Sequence, residues 1–198
     1  CMATLSKLHI FFYNSDNTPS RKVQIFNMVI RSKLMYGLET IVMNERVEKS
    51  LDIFQLKCVR KILKLPTTYI NREFSNVYVR DQINKKLKEA KTKPMESLKD
   101  FHRNSRITYL CKLIHAGTDE PGTAVTFDPI TYLPLDHGKK RVGQPRKNWY
   151  KVTLNDLWVE AKKVIDNVKY AGEFNAKNAR HKAALVAYAK LRLKIKDD

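Results

Sequence analysis

The chain has 198 residues, enough for one domain of ordinary size or two small ones, and carries 38 Lys plus Arg against 20 Asp plus Glu, a net charge of +18. A hydrophobic content of 43% supports a packed core and excludes wholesale disorder, and no apolar run approaches the ~18 residues of a membrane span. The basic residues fall in runs between apolar segments rather than opposite one large apolar face, which points to nucleic acid ahead of acidic lipid.

Leu5, Leu8 and Phe12 are spaced for one face of a short helix over 3–13. Residues 14–20 form a loop by composition, with Thr18 or Ser20 available as N-cap and Pro19 in the first turn of the next helix. That helix runs over about 20–37, with Val23, Phe26, Val29, Ile30, Leu34 and Tyr36 as its apolar stripe; Gly37 ends it or allows a close contact. A third helix covers roughly 45–65, with Leu51, Phe54, Cys58, Ile62 and Leu65 on one side and Pro66 as its stop. Lys57, Arg60, Lys61 and Lys64 fall near one another on the other side, and this basic face is expected to contact phosphate rather than serve as a solvated surface. Reversing these four to Glu is expected to abolish RNA association while leaving helicity intact.

Within 68–93, Tyr69–Arg72 and Val77–Val79 read as strand or helix, and Lys85–Lys93 as a lysine-rich helix face or arm. Helical spacing returns over 95–116 in Met95, Leu98, Phe101, Ile107, Leu110, Leu113 and Ile114. Gly117, Pro121, Gly122, Pro129 and Pro134 mark 117–138 as a linker or extended loop between a helical body, 1–116, and a C-terminal part, 139–198. That part opens on a basic loop, 137–151, in which Lys139, Lys140, Arg141, Arg146, Lys147 and Lys151 occur without an acid. Arginine forks there can grip phosphate. Trp149 can stack on bases, but reads better as the anchor of the next helix. Helices over 150–168 and 176–195 follow; the first carries Leu154, Leu157, Trp158, Ala161 and Ile165, and the second Ala184, Tyr188, Leu191 and Ile195. Arg180, Lys182, Lys190, Arg192, Lys194 and Lys196 give the last helix a basic surface that can track a phosphate backbone. The fold class is therefore mostly α: a helical bundle, then a basic loop and two C-terminal helices.

The three cysteines, Cys1, Cys58 and Cys111, are too far apart for a disulfide framework or zinc module, which suggests a reducing compartment; Cys58 and Cys111 lie in apolar helical patterns and are expected to be buried. No paired-aspartate strand turn, His-x-x-x-His pair, glycine-rich phosphate loop or nucleophile elbow is present, so no catalytic residue, metal site or cofactor is expected. The chain begins at Cys1, which leaves a fragment of a longer protein and a processed form with its presequence removed both open.

Several stretches are similar to the region downstream of the polymerase core in LINE-type (non-LTR) reverse transcriptases. Leu34-Met-Tyr-Gly-Leu-Glu39 resembles a thumb motif of that family, and Leu51-Asp-Ile-Phe-Gln-Leu-Lys-Cys-Val-Arg-Lys-Ile-Leu63 resembles the helix after it. Arg106 to His115 resembles a later segment without its Trp and Gly; Arg141-Val-Gly-Gln-Pro-Arg146, with Gln144 in place of Arg, resembles a basic element, and Trp149 and Asp156 its downstream Trp and Asp. The resemblance covers about residues 5–160, with no counterpart of the family's palm, endonuclease or Cys/His knuckle. It implies a thumb-like body, 1–116, in which the helix 51–65 faces RNA, structured or duplex, through backbone contacts.

The leading expectation is a non-catalytic RNA-binding protein derived from such a domain, a structural subunit of a ribonucleoprotein alongside other proteins. An organellar, mitochondrial ribosome would suit the charge and a clipped N-terminus. A second expectation is the C-terminal piece of an active retrotransposon polymerase. A third and weaker one is a DNA-binding regulator, for which no recognition-helix motif is present.

Overall fold

The computed structural model describes residues 2–117, 120–135, 148–164 and 172–194. The fold is mostly helical, and β structure among the described residues is an isolated bridge between Phe127 and Pro134. The chain divides into two compact units, Cys1–Leu38 with Met43–His102, and Glu39–Val42 with Arg103–Asp198. The division falls at 102/103 rather than in the 117–138 segment, because Ile107, Leu110, Cys111, Leu113 and Ile114 share a core with the C-terminal helices.

In the first unit α1 (Met2–Lys7), α2 (His9–Tyr13) and α3 (Pro19–Ile25) precede a π-helical turn, Phe26–Arg31, and α4 (Ser32–Met35). Thr18 is the N-cap of α3, its hydroxyl accepting from the Arg21 amide, with Pro19 in the first turn. The buried positions run Val23, Phe26, Ile30 and then Met35, a step of five where an α-helix would take three or four. The wider i→i+5 turn shifts the apolar face by one residue. Met35 therefore takes the core position expected of Leu34, and Tyr36, expected in the stripe, is 88% exposed. The Ser32 hydroxyl donates to the Asn27 carbonyl across this turn, at 3.1 Å. Gly37 has φ +71° and nothing near the place of a Cβ, so it supplies conformation and not close packing.

α5 (Glu45–Leu63) and α6 (Asn76–Glu89) complete this unit with the first turn of α7 (Leu98–Ala116). Asn44 caps α5 through the Val47 amide, and Glu45 and Glu48 complement its first turn. Val77–Val79 is helical: Ser75 caps α6, and Val79, Ile83 and Leu87 recur at helical spacing on its buried face. Leu51, Cys58 and Ile62 are buried as expected, joined by Leu56 and Val59. Gln55, itself buried, donates from its amide to the Glu96 carbonyl at 2.8 Å and accepts from the Leu98 amide at 3.2 Å, fixing the start of α7.

In the second unit α8 (Pro121–Thr126), α9 (Trp149–Val164) and α10 (Ala179–Leu193) pack with the remainder of α7. The segment expected as a linker is packed where it is described. Thr123 and Phe127 are buried, and the Thr123 hydroxyl donates to the Leu113 carbonyl at 3.1 Å. The Ile130 amide and the Thr131 hydroxyl donate to the Asp128 carboxylate, holding it below the usual range and shaping the turn that presents Tyr132. On α10 the buried positions are His181, Leu185, Tyr188 and Ala189, whereas Leu191, expected in the stripe, is 58% exposed.

Cys58 and Cys111 are both buried, and burial pushes each thiol from 9.0 up to about 12. Neither is expected to react with iodoacetamide in the native protein at about pH 8, and both should react once urea unfolds it. The unfolded chain ionises first as pH rises, so these thiols remove stability progressively from pH 9.0 to about 12. Native-state alkylation read by mass spectrometry, with urea midpoints across that range, checks both; rapid native alkylation would contradict the burial.

Candidate nucleic-acid interface

Lys57, Lys61 and Lys64 follow one another at steps of four and three, so they share one stripe of α5. Lys57 and Lys64 are exposed and Lys61 is half-buried. Arg60 does not belong with them. It is 8% exposed, and its guanidinium donates to the carbonyls of Pro66 at 2.9 Å and Phe74 at 2.8 Å and to Asn76 Oδ1 at 3.0 Å. Its fork holds the connection between α5 and α6, so it is not available to phosphate, and a reversal that includes it would break the fold. On the connection it holds, Tyr69 is 98% exposed.

Lys64 closes α5 in the left-handed region, φ +58°, a place where glycine is the ordinary residue. Its amide satisfies the Lys61 carbonyl, and its charge sits where the helix dipole favours a cation. Lys22 of α3 is 3% exposed, and its ammonium is held below the usual lysine range, first by burial and then by repulsion from Lys64. A covered lysine and a backbone-strained lysine thus repel each other.

The sequence singled out Arg60 as basic but did not single out Lys22. The signal for Lys22 lay in its spacing, four residues before the core Phe26 and eight before Ile30.

The second unit sorts its predicted residues in the same way. Lys151, Arg180 and Lys194 are exposed and Lys190 is half-buried. Arg192 is a clamp: its guanidinium meets Glu160 Oε2 at 2.7 Å, the Tyr188 hydroxyl at 3.1 Å and Asn104 Oδ1 at 3.2 Å, tying α10 to α9 and α7. It continues the buried series 181, 185, 188, so packing claims it, and phosphate contact is not its role. Lys139, Lys140, Arg141, Arg146 and Lys147 lie outside the described residues.

Trp149 is an anchor: its indole N–H donates to the Glu39 carbonyl at 2.6 Å and its ring meets Tyr109 edge-on at 5.8 Å. Asp156 takes Arg106 at 3.0 Å and Arg103 at 3.2 Å.

A cleft of about 850 Å³ opens in this unit, lined in part by Tyr132, Tyr150, Phe174 and Lys151. No sequence pattern announced it, since its walls come from stretches around 131–134, 150–155 and 173–182. Among the described residues no group of three His, Cys, Asp or Glu is placed to hold a metal ion, and no helix is long and apolar enough to cross a membrane.

Compared with known proteins, the chain matches no family model, no curated protein and no solved structure.

Proposed function

We propose that the chain is a non-catalytic RNA-binding protein, thumb-like in origin, serving as a structural subunit of a ribonucleoprotein such as a mitochondrial ribosome. The observation that carries the reading is Lys64. Its left-handed backbone and its repulsion from Lys22 both cost stability, and a bound phosphate would offset the second. Lys57 and Lys61 extend that positive charge along the same stripe of α5, and the net charge of +18 supplies the long-range attraction. Contacts of this kind read backbone shape and need no base code, in keeping with the resemblance of 51–63 to a duplex-facing thumb helix.

Binding to a structured RNA should weaken steeply with salt, with a log–log slope near −0.9 for each phosphate contacted in a duplex. Filter binding across a salt series measures it, and a flat response would end the reading. Sedimentation of the native protein with one large RNA in stoichiometric amount would identify the particle; recovery within a longer polypeptide with template-dependent DNA synthesis would replace the reading with a polymerase's thumb.

A further inference from the structure

Two other features outside the α5 stripe carry less than the cleft. The hollow beside Glu48 and Asp52 is neutralised by its own cations, Lys99 on Glu48 at 2.8 Å and Arg80 on Asp52. Tyr69 and its neighbour Ile70 are exposed, and exposure alone defines no ligand. The cleft of the second unit has concavity, rings and charge together.

Its volume, about 850 Å³, lies within the range of sites that take a small organic ligand. Its aromatic wall is fixed in place. The Tyr150 hydroxyl donates to the Tyr132 carbonyl at 2.9 Å, and the Tyr150 ring stacks on Phe127 at 4.9 Å. Burial pushes the Tyr150 phenol up, so it stays protonated and keeps donating. Phe174, half-buried, meets Trp158 edge-on at 5.6 Å and lines the cleft. Three lysines and one glutamate, Glu173, line the same space, so the cleft favours an anion. Lys182 is engaged, donating to the Ile130 carbonyl at 2.8 Å beside the Tyr132 ring. Lys151 and Lys177 are exposed and form no ion pair among the described residues. Asn155, also in the wall, offers a donor and an acceptor to the edge of a flat ligand.

From this arrangement we infer that the cleft takes one unpaired nucleotide of single-stranded RNA, its base against Phe174 and its phosphate on Lys151 and Lys177. The inference rests on the RNA-binding reading and adds a second, chemically different contact to it. The α5 stripe grips backbone, whereas the cleft needs a base that has left its stack, which a duplex does not present.

The test uses the whole chain, isotope-labelled, titrated with uridine monophosphate, and beside it a short oligouridine carrying a photoactivatable base. Resonances of Phe174, Asn155 and Lys177 should shift, and cross-links should fall on 173–177. Phe174→Leu should weaken oligouridine binding roughly tenfold and leave duplex RNA binding unchanged. The exposed pair Lys151→Glu and Lys177→Glu should weaken oligouridine binding more than duplex binding, without touching the core. Cross-links elsewhere, or full oligouridine affinity in both variants, would overturn the inference. If both RNAs bind but the mononucleotide leaves the cleft unshifted, the cleft fails and the RNA reading survives. If the mononucleotide fills the cleft while neither RNA binds at low salt, the RNA reading fails and the inference is overturned with it, the cleft then being a site for a free nucleotide.

Discussion

Arg60→Met is expected to destabilise the first unit by about 3–5 kcal/mol, the largest loss of any single substitution of a basic residue on α5. The guanidinium satisfies two backbone carbonyls and the Asn76 side chain from a position that is 8% exposed. Methionine keeps much of the volume and removes every donor, so the acceptors lose their partners where water has limited access. The connection 64–75, which carries no helix of its own, would lose the group that ties both its ends. Lys57→Met, on the exposed side of the same helix, should move stability by no more than about 0.5 kcal/mol. Urea unfolding followed by circular dichroism separates the two. If Arg60→Met kept the wild-type midpoint and lost RNA instead, Arg60 would return to the binding surface and the clamp would be refuted.

The joint reversal Lys57→Glu, Lys61→Glu and Lys64→Glu should lower affinity for structured RNA by roughly a hundredfold or more at moderate salt. Three phosphate contacts disappear and three repulsions replace them, so the salt slope should fall by about two to three as well. Acids near the C-terminus of α5 oppose its dipole, at a cost of about 1 kcal/mol each at most, while Lys64→Glu replaces the repulsion of Lys22 with attraction, so the fold should survive. Affinity and helicity must be read on the same preparation. Native helicity with unchanged affinity would remove α5 from the interface. Leaving Arg60 intact keeps this a test of binding, because a variant that also lost the clamp would fail for reasons of folding.

Much of the helical scaffold was legible in the sequence because it rests on local rules. Thr18 and Pro19 announced the start of α3, and Leu51, Cys58 and Ile62 the buried side of α5. Cys58 and Cys111 were recognisable as core residues, and Trp149 as an anchor. The basic residues were harder to sort, because formal charge says nothing of which side chains the fold uses as internal donors. Arg60 sits four residues after buried Leu56, and Arg192 four after buried Tyr188, so the pattern of apolar neighbours held the answer that charge obscured. The 117–138 segment misled for a related reason. Pro121 and Gly122 open the helix α8 instead of breaking structure, and Thr123 and Phe127 enter the core. The cleft depends on stretches far apart in the chain, and no local rule reaches that distance.

The π turn at Phe26–Arg31 has a consequence for anyone comparing this chain with others. One additional residue rotates everything after it by about 100° relative to an uninterrupted α-helix. Leu34-Met-Tyr-Gly-Leu-Glu39 lies immediately downstream, so its phase against the core is set by that turn as much as by its own residues. An alignment that carries the apolar positions of 19–25 straight through to 32–35 must open a one-residue gap inside 26–31, or it will pair Met35 with a solvent-facing position. Deleting one residue there would put the two ends of this helix back in phase and turn Met35 out of the core, an error of reading frame written in geometry instead of codons.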